Sequence, residues 1–379
     1  MVEIIERAIL EPIIGKLTQS NKIVIVYGAR QVGKTTLVNQ IISRLNLKTL
    51  KINADEKKYH DVLSSRDLSR LKSLVSGYEL LFIDEAQRIE NIGINLKILA
   101  DGMKDLKIIV TGSSSFELAN KIKEPLTGRV WTYTLYPLSF LELSSYHNEF
   151  ELGGYLDNFL IHGAYPEVFT MENLKNKKKL LEEIATSYLY KDILELESIK
   201  KSDKIYKLLK LLAFQIGQEV SINELADSLE LSSETVNRYV DLLEKSFVIF
   251  RLSALSKNPR KEITKKDKIY FYDLGIRNIL IDNLNAMNDR NDQGALFENL
   301  LVVERMKKIK YQEVIATSYF WRAYTGSEID YIEDSGGKYH AYEFKWKKTH
   351  APYPKKFMES YPQSEFTIIN RDNYHDFVA

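Results

Sequence analysis

Two groups of residues in this chain have the types and spacing for chemistry. The first is GARQVGKTT: Gly28, Ala29, Arg30, Gln31, Val32, Gly33, Lys34, Thr35 and Thr36, after the apolar run KIVIVY and opening a helical pattern. Glycines at 28 and 33 let the backbone curl so that its N–H groups face a phosphate chain, and the helix start adds a favourable dipole. Lys34 can reach β- and γ-phosphates, and the Thr35 hydroxyl is a ligand for Mg²⁺. A second apolar run, LLFIDEA, ends in Asp84 and Glu85. Asp84 would hold the metal through water. Glu85 would orient or deprotonate an attacking water, a role that a binding-only site does not need. The next run, LKIIV, leads into TGSSS, where Thr111 or Ser113 could sense the γ-phosphate; the sequence does not choose between them. Arg129 in LTGRV is a candidate arginine finger, within the chain or toward a neighbour, or else a surface arginine. The ligands implied are ATP and Mg²⁺.

The second group lies in EIDYIEDSGGKYHAYEFKW, Glu328 to Trp346. If Gly336 and Gly337 form a two-residue turn, Ser335 faces Lys338. Counting outward then sets Asp330 opposite Glu343 and Glu328 opposite Lys345. Side chains at spacing two share a face, so these four converge, while Ile329, Tyr331, Tyr342 and Phe344 turn the other way. Two carboxylates at cross-strand distance repel unless a cation joins them. Mg²⁺ held by Asp330, Glu343 and the carbonyl of Phe344 would satisfy both, and Lys345 would position the water that attacks a phosphodiester. The plain alternative is a surface hairpin in which Lys345 pairs with Glu328.

The elements around these residues change character along the chain. IVIVYG, LKTLKIN, YELLFIDEA and LKIIVTGSS are apolar strands separated by helical stretches, which indicates a parallel sheet covered on both faces. After Pro137 the pattern is helical to about Gln215. SINELADSLELSSETVNRYVDLLEKSF then reads as helix–turn–helix, opened by a Ser221/Glu224 capping pattern, with Val236, Val240 and Leu243 on one face. FVIFRL and KIYFY would be the strands of a wing. The segment between them holds Lys257, Arg260, Lys261, Lys265, Lys266 and Lys268 against Glu262 and Asp267, a cluster suited to phosphates. The second helix is the weaker reader, because Glu234, Asp241 and Glu244 offset Arg238 and Lys245. Such a module also serves as a protein-binding joint.

At 379 residues the chain implies two or three domains. With 44% hydrophobic and 28% charged residues it is globular, and a formal charge of +1 confines any nucleic-acid surface to a local patch. The absence of cysteine excludes disulfides, thiolate metal sites and cysteine nucleophiles. The N-terminal segment is patterned as an amphipathic helix rather than a signal peptide, and no run is long enough to span a membrane. The expected location is cytoplasmic.

GARQVGKTTL, LLFIDEAQ, IIVTGSSSFEL, LTGRV and YPLSFLEL, continued by HGAYPEV, YLYKDIL and GALFENLLVVE, resemble a widespread family of AAA-like ATPases of bacteria and archaea. The resemblance implies an α/β chain with an additional-strand P-loop core over 1–136 and a helical lid over 137–215. A winged helix would occupy 216–272 and a restriction-endonuclease-like domain 273–379. The hairpin also resembles a PD-(D/E)XK nuclease site, with Asp330 followed by Glu343, Phe344 and Lys345. Glu298 in LFENL matches the acid supplied by the preceding helix; Ile329 stands where that family has proline. The expectation is an ATP-hydrolysing protein that acts on nucleic acid, DNA before RNA, through the winged helix and a metal-dependent nuclease-like domain. Assembly into a homo-oligomer is left open. The rival is a nucleotide-switched scaffold that binds protein partners and cuts nothing.

Overall fold

The apolar runs of the first third assemble as a five-stranded sheet in which every pairing is parallel. The structure is a computed structural model that describes residues 4–113, 126–188, 202–256, 266–323, 326–347 and 350–379. It divides into two units: Met1–Tyr136 with Lys245–Phe247, and Pro137–Glu244 with Val248–Ala379.

In the first unit the order is α1 (Leu10–Gln19), β1 (Ile23–Tyr27), α2 (Lys34–Leu45), β2 (Thr49–Asn53), α3 (Leu68–Val75), β3 (Leu80–Asp84), α4 (Ile92–Gly102), β4 (Lys107–Gly112) and β5 (Val130–Thr134). The sheet runs β2-β3-β4-β1-β5, so β4 is inserted between β1 and β3. Residues of β1 are buried at every position, which is why the strand is apolar throughout rather than alternating. One cluster joins Ile23, Ile25, Leu81, Ile83 and Val110 of the sheet to Leu71, Val75, Leu96 and Leu99 of α3 and α4. Asp67 starts α3 by accepting from the N–H groups of Ser69 and Arg70.

The second unit begins with helices: α5 (Glu149–His162), α6 (Leu174–Glu183), α7 (Ser202–Phe214), α8 (Ile222–Leu229) and α9 (Ser233–Lys245). An antiparallel pair follows, β6 (Ile249–Leu252) and β7 (Lys268–Phe271), then α10 (Leu274–Leu280) and the 19-residue α11 (Gln293–Tyr311). The chain ends with β8 (Thr317–Arg322), β9 (Glu328–Ser335), β10 (Lys338–Lys345), α12 (Lys355–Ser360), β11 (Glu365–Asn370) and α13 (Tyr374–Val378). Every residue of α10 is buried. A Cβ on its Gly275 would lie 2.0 Å from the His162 carbonyl oxygen, so only glycine allows α10 to seat on the end of α5. Asn278 of α10 completes the joint by donating to the carbonyls of Leu160 and Ile161, each at 2.9 Å.

The C-terminal sheet has the order β11-β10-β9-β8, antiparallel except for the parallel β10–β11 pair that α12 connects. Gly336 and Gly337 both have positive φ and close the β9–β10 turn with Ser335 paired to Lys338, the register counted from the sequence. The expected faces do not follow that count. Tyr319 pairs with Ile332 but Trp321 with Ile329, so two steps on β8 meet three on β9 and a bulge lies at Asp330–Tyr331. Ile329 therefore packs with Ile332, Ala341, Trp321 and Phe357. Tyr331 packs on the other side, among Tyr342, Phe344 and Phe377. Among the described residues no helix is long and apolar enough to cross a membrane.

Candidate functional site

The motif residues of the first unit gather where β1, β3 and β4 end. Gly28 leaves β1 so close to β5 that a Cβ there would stand 2.3 Å from the Leu135 carbonyl oxygen. The loop then turns through Gln31 and Gly33, at φ 61° and 95°, into the first turn of α2. Lys34 is buried and folds its ammonium back onto the carbonyls of Gly28 (2.9 Å) and Ala29 (3.0 Å), bracing the curl. A residue outside the motif braces it from the other side. Buried Arg7 donates to the Val32 carbonyl at 2.8 Å and to that of Tyr136 at 2.6 Å.

Facing the loop, Asp84 accepts from the Thr35 hydroxyl at 2.7 Å and from the Thr111 hydroxyl. Glu85 follows in a left-handed conformation (φ 52°), a position uncommon for a non-glycine residue and one that turns it out of the strand line. Its backbone N–H meets the Thr111 oxygen at 3.3 Å, and its carboxylate lies 3.8 Å from the Lys34 ammonium. Gln87 holds that carboxylate at 2.6 Å and is itself 3.1 Å from the Ser113 hydroxyl. Both candidate sensors are thus present in one network: Thr111 touches Asp84, and Ser113 reaches Glu85 through Gln87. Neither residue had a role legible in the sequence: Arg7 lies outside the motifs, and Gln87 closes LLFIDEAQ without an ionisable group of its own. The Thr35 hydroxyl and the Asp84 carboxylate form a pair of hard oxygen donors of the kind Mg²⁺ takes. Arg129 is not part of this group. Its carbonyl accepts from Ile23, at the opposite end of β1 from the loop and about 13 Å away along the strand. Its guanidinium pairs with Asp101 at 2.9 Å. In this arrangement the guanidinium is turned to Asp101 and not to the site of its own chain.

In the second unit the acids expected to share a metal do converge, but each carboxylate already has a donor. The ladder between β9 and β10 ends at Tyr331–Tyr342. Beyond it, the Asp330 carboxylate accepts from the Phe344 N–H at 2.8 Å. Lys345 pairs with Glu343 at 2.6 Å, not with Glu328. Glu298, from α11, accepts from the Tyr270 hydroxyl at 2.7 Å and from the Lys268 ammonium at 3.0 Å. Lys268 also pairs with Glu328 at 2.5 Å. Among the described residues no three acids or histidines are arranged to hold a metal ion. The shared Mg²⁺ site expected of Glu298, Asp330 and Glu343 is thus not formed in this arrangement, because two lysines and a backbone N–H take the carboxylates. Crowding leaves its mark on the acidities. Burial, then the Asp330 charge, pushes Glu298 up to about 7. Burial, then Asp330, raises Glu343, and burial raises Asp330 itself. Burial opposes the charge of Lys268, but Glu298, Asp330 and Glu328 outweigh it and hold its affinity for the proton above the ordinary value.

Lys268 therefore leaves the list of phosphate contacts: it is 1% exposed. The rest of the basic cluster, Lys257 to Lys265, lies outside the described residues, and Lys266 is exposed. In the helix–turn–helix, the Ser221 hydroxyl accepts from the Glu224 N–H, and Val236, Val240 and Leu243 are buried as their spacing requires. The acids of α9 are not simply displayed. Arg251 of β6 binds Asp241 at 2.6 Å and Glu244 at 2.6 Å, so the surface left toward the start of α9 carries Glu234, Asn237 and Arg238.

Residues 20–144 match a family model described as an AAA domain. Residues 154–287 and 293–375 match two models described as domains of unknown function, DUF8612 and DUF4143. The chain is 26% identical over 307 residues to an uncharacterized protein of Methanocaldococcus jannaschii, a match covering 76% of this chain and 67% of that one. It is 29% identical over 343 residues to an uncharacterized protein of Mycobacterium tuberculosis, covering 89% of this chain and 73% of that one. Among solved structures it is similar to a Walker-type ATPase of Pyrococcus abyssi, at a TM-score of 0.50 and 16% identity over 73% of this chain and 96% of that chain. The inserted β4, the braced phosphate loop and the AAA match fall on the same residues, and the first unit is an AAA-like P-loop ATPase fold.

Proposed function

We propose that this chain binds and hydrolyses ATP, and that its second unit engages nucleic acid under the control of the nucleotide. The observation that carries hydrolysis is Glu85, turned out beside Asp84 and held by Gln87, Lys34 and the Thr111 contact. In this reading the loop N–H groups of Gly28–Thr36 and the Lys34 ammonium bind the phosphates. Thr35 and Asp84 would hold Mg²⁺, which when bound would supply positive charge against the phosphates. Glu85 orients the attacking water and accepts its proton, and Thr111 keeps Asp84 aimed. Lys34→Ala removes the fixed cation and should abolish turnover. Glu85→Gln should retain ATP and stop hydrolysis. Equal turnover by wild type and Glu85→Gln would overturn the assignment.

For the second unit we read α8, α9, β6 and β7 as a winged helix. We read the α11-β8-β9-β10-α12-β11 order as a nuclease-like sheet, with DNA the first candidate partner. The tie of Asp241 and Glu244 to Arg251 supports contact with nucleic acid, because it neutralises acids that would repel phosphates. The carboxylates of the sheet, as arranged, do not fit a divalent ion, so no cleavage step is assigned to Asp330, Glu343 and Lys345. That misfit favours the rival, a nucleotide-switched platform for a partner, as far as the sheet is concerned. Arg129 remains a proposal only as a finger toward a neighbouring copy.

A further inference from the structure

The direction of one peptide in the phosphate loop is set from outside the loop. The first N–H groups of a helix have no partner within it, and in α2 those of Lys34, Thr35 and Thr36 are aimed by the helix itself. The Gly33 carbonyl is committed to the same helix, accepting from the Leu37 N–H at 2.9 Å. The Val32–Gly33 peptide lies one step earlier, where the helix does not fix it. Gly33 stands at φ 95°, and glycine takes φ of either sign at little cost, so the peptide before it can turn either way. What holds it is Arg7. Nη1 of the guanidinium donates to the Val32 carbonyl at 2.8 Å and Nη2 to the Tyr136 carbonyl at 2.6 Å, so the first bond is anchored through the second to the segment after β5. Arg7 is 5% exposed, and a Cβ on Gly33 would meet its Nη1 at 3.8 Å, so the guanidinium lies close along this peptide.

We propose that Arg7 is a positioning residue for phosphate binding: by holding the Val32 carbonyl it commits the Gly33 N–H to the phosphate chain. The inference rests on reading this loop as the ATP site. The peptide is trans, so its carbonyl and its N–H lie in one plane and point in opposite directions. A carbonyl fixed on Arg7 therefore turns the Gly33 N–H away from Arg7, to join the N–H groups that open α2. Lys34 holds the carbonyls of Gly28 and Ala29 in a comparable way, but its ammonium is drawn off when phosphate arrives. Arg7 is not called to the phosphates, so its hold persists. Without it the peptide must be ordered at the moment of binding, and that ordering is subtracted from the affinity.

The test is calorimetry on the full chain with ATP, inorganic tripolyphosphate and adenosine as separate ligands, comparing wild type, Arg7→Met and Arg7→Lys. Arg7→Met should bind ATP and tripolyphosphate about 10-fold more weakly, by the same factor for both, and adenosine as wild type does, because only phosphate contacts change. The KM for ATP should rise by that factor with kcat held, the pattern of binding lost equally from ground and transition states. Arg7→Lys keeps the charge but cannot span two carbonyls, and should fall with Arg7→Met rather than with wild type. Wild-type affinity for tripolyphosphate in Arg7→Met would overturn the proposal. So would a loss that extends equally to adenosine, because it marks general damage to the unit. If wild type binds ATP no better than Lys34→Ala does, the ATP reading itself is overturned, and this inference with it. If Arg7→Met fails to fold, Arg7→Lys carries the same comparison, and wild-type affinity there would again overturn the proposal.

Discussion

Gln87 shows how much of a site can depend on a residue with no chemistry of its own. Glu85 sits at a backbone conformation uncommon for its type, and its carboxylate is aimed by the Gln87 amide at 2.6 Å. Removing that amide should misplace the carboxylate without touching the phosphates. Gln87→Leu is therefore expected to lower kcat for ATP about 10- to 100-fold while leaving nucleotide affinity near wild type. Placed on Glu85→Gln, it should add nothing further, because the two act as one unit. Steady-state kinetics of the two single variants and the double variant check this, and additive losses would separate Gln87 from Glu85. Arg7 works by the same logic at the loop backbone. Its guanidinium reaches two carbonyls at once, a task lysine cannot repeat.

At the scale of elements, the seat of α10 on the end of α5 carries a pH dependence. His162 closes α5, and its Nδ1 is buried without a hydrogen-bond partner among the described residues. Burial, with the nearby Lys177 ammonium, pushes its pKa down to about 4. Lys177 itself is turned to Asn158 at 2.9 Å, and burial lowers its proton affinity too. The unfolded chain protonates His162 below about 6.5, whereas the folded chain resists until about 4. The unfolded state thus binds more protons in that window, and stability is full above it and falls as pH drops through it. The expected loss between pH 7 and pH 4.5 is about 1–3 kcal/mol beyond that of a His162→Gln variant, read from urea midpoints. Parallel pH profiles for the two proteins would show that His162 is charged in the folded state.

At the scale of the whole molecule, the near-neutral charge of +1 gives no general attraction to nucleic acid, so binding must come from local residues. Replacing Arg260, Lys261, Lys265 and Lys266 with Ala should weaken duplex binding similarly across sequences. The slope of log affinity against log salt should fall by about 0.9 for each lost phosphate contact. Lys268 is omitted because its charge is spent on Glu298 and Glu328. Fluorescence titrations at several salt concentrations measure both quantities. An unchanged affinity and slope would favour the protein-binding role of the helix–turn–helix.

What the sequence determined by itself was whatever depends on neighbours along the chain. The loop from Gly28 to Thr36, the acids ending β3, the Ser221 cap and the Gly336-Gly337 turn are local, and spacing alone locates them. Tertiary structure decided what depends on long-range contact. Arg7 looked like one more charge on an amphipathic helix, yet it binds the loop 25 residues on. Arg129 lay in a motif, but parallel pairing to Ile23 puts it at the wrong end of the strand. One extra residue in β9 sent Ile329 and Tyr331 to opposite faces, a shift that counting from the turn cannot see. Lys268 was counted with a basic loop because its neighbours in sequence are basic. Its partners are 30 and 60 residues away, and buried charge seeks opposite charge wherever the fold brings it.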